Sequence, residues 1–284
     1  MLELRAGLVG DGIGPSLTPD VHMAEGRALG LTYTYERFDT ERSGTLASAL
    51  SMAQAEGYAG LNITHPHKQA VVGHLDQLEG VAAQIRTVNT VVFQNDQSVG
   101  WNTDYYGFKK ALGREIGSVE GQTVQVFGAG GAGLAVVLAL LDSGVAQIVI
   151  SDLDPKRSEA LVSDVLSIRP EAVLEAVPPL AATPSVDGFV NCTPMGMANH
   201  PGIAADPAHY GHRCWAADIV YFPKDTEFVK RARAAGMRVM DGTGMALWQA
   251  VEAFRLITGH APDTMRMKAT LQELLSQNGE IAAQ

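Results

Sequence analysis

Thr123 to Asp154 reads TVQVFGAGGAGLAVVLALLDSGVAQIVISDLD, and this stretch decides the fold. A β-branched run, Val124 to Phe127, meets Gly128-Ala129-Gly130-Gly131-Ala132-Gly133. An apolar pattern of helical period follows (Leu134, Val137, Leu138, Leu141), then Gly144 and a second strand, Ile148 to Ile150. Strand, glycine turn, helix and strand in this order are the setting in which G-x-G-x-x-G binds a dinucleotide. Gly128 permits the tight turn, Gly130 lets the backbone approach a pyrophosphate, and Gly133 allows close helix packing. The free N–H groups at the helix N-terminus serve the phosphates, so the loop from Gly128 through Ala129, Gly130, Gly131 and Ala132 is the expected cofactor cradle. Asp152 ends the second strand, roughly twenty residues past the last glycine, where a carboxylate accepts from the adenine ribose hydroxyls and repels a 2′-phosphate. The cofactor expected is NAD. Asp154 is a candidate to share the ribose role, and Arg157 is placed to stack on adenine or reach phosphate.

Outward from that core, 284 residues suffice for two modest domains. Hydrophobic residues at 46% and charged ones at 18% are ordinary for an α/β protein. A net charge of −10 argues against nucleic acid and anionic membranes as partners. Cys192 and Cys214 are too far apart for a CxxC metal site, and the chain reads as cytoplasmic with reduced thiols. No signal peptide or membrane span is expected.

The first hundred residues alternate strand and helix: strands at Leu4–Gly10, Leu31–Arg37 and Ala59–Ile63, helices from Thr18 (N-cap, with Pro19 at N1) and over Thr45–Glu56. These units predict a parallel or mixed sheet covered by helices. Thr64-His65-Pro66-His67-Lys68 is expected to start a short helix beyond a strand's carboxyl end, where open α/β sheets bind ligands. A hairpin is expected over Thr90–Phe93 and Ser98–Trp101, and Asn102-Thr103-Asp104 is expected to cap a helix. Further strands are expected at 172–177, 188–191, 215–220 and 237–240, a loop over Val177–Pro184, and helices at 245–258 and 264–276. The resulting division is a substrate-binding α/β domain (1–103), a Rossmann-type NAD domain (104–241), and C-terminal helices (242–284) returning to the first domain.

Polar side chains gather at strand ends and helix starts: Ser16, Thr18, Thr64, Lys68, Asn89 and Asp104. Oxidising a secondary alcohol with NAD needs a base for the hydroxyl proton. A partly buried lysine oriented by a carboxylate can serve, although spacing alone leaves Lys68 open to being a solvated helix lysine and Asp104 a plain N-cap. His65 and His67 have a chelating spacing, but no acid or cysteine cluster completes a metal site, and none is expected. Cys192 reads as a packing residue and His22 as a packing or capping one.

Ser16-Leu17-Thr18-Pro19, Asn62-Ile63-Thr64-His65-Pro66-His67-Lys68, Val88-Asn89-Thr90, Asn102-Thr103-Asp104, Asn191-Cys192-Thr193-Pro194-Met195-Gly196, Asp218-Ile219-Val220-Tyr221 and Gly242-Thr243-Gly244-Met245 to Gln249 together resemble the shikimate/quinate dehydrogenase family across nearly the whole chain. The resemblance implies a two-domain enzyme, monomeric or homodimeric, with its site between domains, oxidising a ring hydroxyl of a cyclohexane or cyclohexene carboxylate in aromatic amino acid biosynthesis or quinate catabolism. It implies that Ser16 and Thr18 hold the carboxylate with Tyr221 nearby, and that Thr64, Asn89, Asp104 and Gln249 bind ring hydroxyls. Lys68 and Asp104 match the catalytic pair, while Thr193, Met195, Gly242 and Met245 match positions near the nicotinamide. Where biosynthetic members commonly carry Asn-Arg-Thr to grip the NADP phosphate, Asp152-Leu153-Asp154 stand here. Thr18 replaces the usual serine, and Arg86-Thr87 replace a common Gly-Ala. The first two departures imply an NAD enzyme of quinate or shikimate, catabolic or specialised, whereas Arg86-Thr87 leaves ring specificity open. Alternatives are a related cyclitol-like acid such as aminoshikimate, or a non-catalytic ligand sensor of the same fold.

Overall fold

The computed structural model describes residues 3–42, 44–179 and 185–282. The chain forms two compact units, one of residues 1–103 and 247–284, the other of 104–246.

The first unit opens with β1 (Leu4–Gly10), α1 (Thr18–Ala28), β2 (Tyr33–Asp39), α2 (Leu46–Ala55) and β3 (Gly60–Ile63). A 3₁₀ turn at Ala70–His74 leads to β4 (Gln77–Leu78), α3 (Val81–Ile85), β5 (Thr90–Gln94) and β6 (Gln97–Trp101). Its sheet has the order β2-β1-β3-β5-β6-β4 and is mixed: β1 runs parallel to β2 and β3, while β5 runs antiparallel to β3 and β6. The expected hairpin turns through Asn95 and Asp96, both at positive φ (51° and 61°), the backbone of a type I′ turn that matches strand twist. Leu61, Ile63, Val71 and Val91 fill the core on the α2 side, with exposures of 1% or less.

The second unit holds α4 (Thr103–Glu115, whose first residue belongs to the first unit), β7 (Thr123–Phe127), α5 (Gly133–Leu141), β8 (Gln147–Ser151), α6 (Pro155–Ile168) and β9 (Val173–Val177). It continues with β10 (Gly188–Asn191), β11 (Trp215–Asp218), α7 (Glu227–Ala234) and β12 (Arg238–Met240). Its sheet is parallel throughout, in the order β12-β11-β10-β7-β8-β9. Counted from β7, that is the doubly wound 3-2-1-4-5-6 arrangement of dinucleotide-binding domains. α8 (Gly242–Thr258) begins in this unit and passes into the first, where α9 (Thr264–Ala282) packs on α1.

Two local expectations are corrected. Thr64–Lys68 forms a turn, and regular 3₁₀ structure starts only at Ala70, because Pro66 lacks an N–H and disfavours helical backbone before it. The N-cap of α1 is Leu17, already helical at φ −86° and ψ −11°, which makes Thr18 the first helical residue and moves Pro19 to the second. The N-cap makes no side-chain capping bond, and the Ser16 hydroxyl lies 3.4 Å from the Thr18 nitrogen. Most of the expected Val177–Pro184 loop lies outside the described residues. Among them, no helix is long and apolar enough to cross a membrane.

α9 is tied to α1 by charge. Glu25, with its side chain fully buried, accepts from Arg266 Nε at 2.7 Å, Arg266 Nη2 at 2.6 Å and the Asp263 N–H at 2.7 Å. Removing one partner of such a pair leaves an uncompensated buried charge. Arg266→Ala is therefore expected to lower Tm by roughly 6 °C in a thermal scan at pH 7. A shift below about 2 °C would show that α9 does not depend on this pair.

Candidate active site

In the first unit Ser16, Thr18, Thr64, Lys68 and Asn89 lie at one end of the central strands. β1 ends at Gly10 and leads into Ser16 and Thr18, while β3 ends at Ile63 and leads into Thr64 and Lys68. β5 runs the other way, so Asn89, just before it, comes to the same end. A Cβ on Gly10 would meet Thr64 Cγ2 at 2.3 Å and the His65 carbonyl at 2.9 Å. Only glycine lets the first strand end this close to the Thr64 turn.

Asn89 is 3% exposed, and its carboxamide already has partners. Its Oδ1 accepts from the Thr103 N–H at 2.7 Å, and its Nδ2 donates to Thr103 Oγ1 at 2.9 Å. Asn89 thus anchors the start of α4, the helix whose next residue is Asp104. Behind it, Asn62 accepts from the Tyr35 hydroxyl at 2.7 Å and donates to Thr90 Oγ1 at 3.0 Å and to the Asn89 carbonyl at 3.2 Å. Asn62 had no role in the sequence reading, because its partners come from β2 and from the start of β5, both far from it in the chain. Lys68 is half-buried, and its carbonyl accepts from the Val88 N–H at 2.8 Å. Gln249 lies on the part of α8 that belongs to this unit.

Thr87 is buried, with its hydroxyl on the Ile85 carbonyl and its own carbonyl accepting from Asn102 Nδ2. Arg86 is exposed and left-handed at φ 49°, at the C-cap of α3. That backbone is one glycine adopts without steric cost. His67 Nε2 lies 2.6 Å from Thr40 Oγ1 and 3.6 Å from Asp11 Oδ1. Among the described residues no group of three or more His, Cys, Asp or Glu is placed to hold a metal ion. His22 is fully buried against Tyr33, Tyr35 and Phe254, and burial lowers its pKa to about 3.

Every residue of the expected cofactor set lies in the second unit, in the loops and first helical turns that follow strand carboxyl ends. Gly128 has φ +97°, and a Cβ there would meet Thr193 Cγ2 at 2.8 Å and the Cys192 carbonyl oxygen at 2.9 Å. At Gly130 and Gly131 a Cβ would meet no protein atom within 4 Å. The Gly128 N–H donates to the Ser151 carbonyl, the Ala129 N–H to Asp152 Oδ2 at 2.8 Å and the Gly133 N–H to the Gly130 carbonyl. Among the described residues, nothing accepts from the N–H groups of Gly130, Gly131 and Ala132. A bare backbone with three unused donors before a helix fits a diphosphate. The Ala129 donor is committed to Asp152. Asp154 Oδ1 accepts from the Lys156 N–H as the N-cap of α6, and the other oxygen of Asp152, Oδ1, accepts from the Asp154 N–H at 3.0 Å. Arg157 is exposed in the first turn of α6.

Asn191, at the end of β10, organises the loop that carries Thr193 and Met195. Its Oδ1 accepts from the Thr193 N–H and hydroxyl, and its Nδ2 donates to the Met195 carbonyl and to Asp218 Oδ1. Asp218 also accepts from the Val220 N–H, just before Tyr221, and from Thr226 Oγ1, the N-cap of α7. Tyr221 is half-buried, and burial raises its pKa. Burial also pushes the Cys192 thiol up, which leaves it protonated and inert as a nucleophile. Asp241 accepts from the Thr243 N–H and hydroxyl at the start of α8, which fixes the turn carrying Gly242 and Met245. Asn191, Asp218 and Asp241 received no role from the sequence, because a carboxylate or amide that braces a loop has no spacing signature.

Asp218 is fully buried, and burial lifts its carboxyl from 3.8 to about 6 against the pull of its three donors. A group whose folded pKa is raised contributes stability that is complete below its unfolded value and lost as pH climbs through the folded one. Between pH 4 and 7 the cost is about 2 kcal/mol. Asp218→Asn, neutral throughout, is expected to have a Tm relative to the parent that improves by several degrees from pH 4 to pH 7. A difference independent of pH would mean Asp218 does not titrate in this range.

Comparison with known proteins agrees with this geometry. Residues 8–91 match the shikimate dehydrogenase substrate binding domain, and 242–272 match the shikimate 5'-dehydrogenase C-terminal domain. The chain is 45% identical to a quinate/shikimate dehydrogenase (NAD(+)) of Corynebacterium efficiens, covering 96% of this chain and 99% of that one. It is 42% identical to a shikimate dehydrogenase (NADP(+)) of Pseudarthrobacter chlorophenolicus, covering 98% and 97%. Among solved structures, quinate dehydrogenase from Corynebacterium glutamicum in complex with NAD superposes with a TM-score of 0.91 at 40% identity, over 95% of this chain and 99% of that one. The chain belongs to the shikimate/quinate dehydrogenase family, oxidoreductases that use a nicotinamide cofactor.

Proposed function

We propose that this protein reversibly oxidises a ring hydroxyl of quinate or shikimate to the ketone with NAD. The observation that carries the cofactor reading is Asp152. Its carboxylate is bonded to the glycine loop through the Ala129 N–H, and it presents negative charge where a 2′-phosphate would sit. A relative named for NAD at 45% identity supports the same reading. Gly130, Gly131 and Ala132 hold the diphosphate through their N–H groups, with Arg157 beside the adenine end. Thr193, Met195, Gly242 and Met245 border the nicotinamide.

Ser16 and Thr18 donate to the substrate carboxylate, with Tyr221 nearby. Thr64, Asn89 and Gln249 bind ring hydroxyls. Lys68 accepts the hydroxyl proton at Nζ as the carbinol C–H bond breaks and returns it in the reverse direction, and Asp104 orients Lys68 and the reacting hydroxyl. Bound NAD supplies the hydride acceptor.

Calorimetric titration tests the cofactor half. NAD is expected to bind at least about tenfold more tightly than NADP, as loss of a charge-assisted hydrogen bond and a like-charge contact require. Equal affinities would contradict the assignment of Asp152. Arg86 favours a second reading, in which a related cyclitol-like acid is the substrate. This exposed cation stands on a backbone suited to glycine, two residues before the Val88 N–H that bonds the Lys68 carbonyl. Preference for an amino- or keto-substituted acid over quinate and shikimate in rate assays would select it.

A further inference from the structure

The hydroxyls of Ser16 and Thr18 are neutral, yet the ligand proposed for them is a carboxylate. The loops around them are acidic: Asp11 follows β1, Asp39 ends β2 with Glu41 just beyond, and Asp20 lies in the first turn of α1. The cation that touches the Ser16 loop is Arg37 on β2. Its Nη2 donates to the Ser16 carbonyl at 3.0 Å and lies 3.4 Å from Asp20 Oδ2. The Ser16 N–H in turn donates to the Ile13 carbonyl, so Arg37 bonds directly to the turn that carries the Ser16 hydroxyl.

We propose that Arg37 is a positioning residue for the substrate carboxylate and that Asp20 sets how much of its charge is felt there. This rests on the reading of Ser16 and Thr18 as the carboxylate's ligands. Arg37 acts in two ways: its hydrogen bond fixes the Ser16 backbone, and its charge offsets the acidic edge that an anionic substrate must approach. Asp20 opposes the second effect, because it neutralises the guanidinium and puts a negative charge in the helix turn that would otherwise favour an anion. The side chains of Arg37 and Asp20 are 34% and 45% exposed, so the electrostatic part is moderate and is screened by salt.

The two residues therefore carry effects of opposite sign, which a prop for the loop would not. In initial-rate assays at low salt, Arg37→Gln is expected to raise KM for the carboxylate substrate about fivefold, with the change in KM rather than kcat and with KM for NAD unchanged. Arg37→Lys, which keeps the charge but not the planar fork, falls between it and the parent. Asp20→Asn lowers the same KM about twofold, and the differences shrink at high salt. If Arg37→Gln and Asp20→Asn both raise KM, or if the loss appears in kcat or in KM for NAD, the proposal is overturned. Ser16→Ala separates the two levels: a raised KM there with Arg37→Gln unchanged removes Arg37 alone. An unchanged KM in Ser16→Ala removes the carboxylate reading and the proposal with it. Should Arg37→Gln fail to fold, Arg37→Lys and Asp20→Asn still give the two signs.

Discussion

Lys68→Ala is expected to lower kcat with quinate or shikimate by roughly a hundredfold to ten-thousandfold, the usual value of a positioned general acid/base. The fold should survive the change. The half-buried Lys68 holds its turn through its backbone carbonyl, which accepts from the Val88 N–H, and alanine keeps that bond. Every residue assigned to NAD belongs to the second unit, whereas Lys68 belongs to the first. NAD affinity should therefore stay within about twofold while turnover collapses, a split that general damage would not give. Steady-state rates and calorimetric NAD titration on the same preparation check both halves. A turnover loss below about tenfold would remove Lys68 as the proton carrier.

Asp152→Ala is expected to raise KM for NAD by about tenfold to a hundredfold, the range for losing charge-assisted hydrogen bonds. It also narrows the preference over NADP. Two losses combine. The ribose hydroxyls lose their acceptor, and the Ala129 N–H loses the 2.8 Å bond that braces the glycine loop. Asp152→Asn helps to separate them, since it keeps an oxygen for Ala129 while removing the charge that repels a 2′-phosphate. It should recover part of the NAD affinity yet retain the relaxed preference. The ratio of kcat/KM for NAD to that for NADP is the readout, and a ratio unchanged in both variants would show that Asp152 does not discriminate.

The second unit was the more legible part of the chain. Its decisive features are local: β7 running into glycines at fixed offsets, an apolar helix, and β8 ending at Asp152. Burial of parallel strands on both faces makes them short continuous apolar runs, and the strand expected at 188–191 coincides with β10. Boundaries set by non-local contacts were harder to read. The Thr64–Lys68 turn has helix-compatible residues on either side, and only Pro66 hints at the interruption. Leu17 caps α1 with backbone alone, so no side-chain signal marks it.

At the candidate site, spacing marked the glycine loop and the acid at the end of β8, though not the bond by which that acid braces the loop. Family resemblance supplied the substrate residues. The supports could be read from neither. Asn89 meets Thr103, Arg37 meets the Ser16 carbonyl and Asp218 meets both Asn191 and Thr226 only after the sheets form. Such contacts link residues on different strands and helices, and no periodicity along one segment encodes them.

The most direct test of the central claim is the initial rate of absorbance change at the reduced-nicotinamide band, with quinate and shikimate each paired with NAD and with NADP. Turnover of at least one of the two acids with NAD, and much slower turnover with NADP, is the predicted result. Turnover with NADP alone, or with neither acid while NAD still binds, would contradict it.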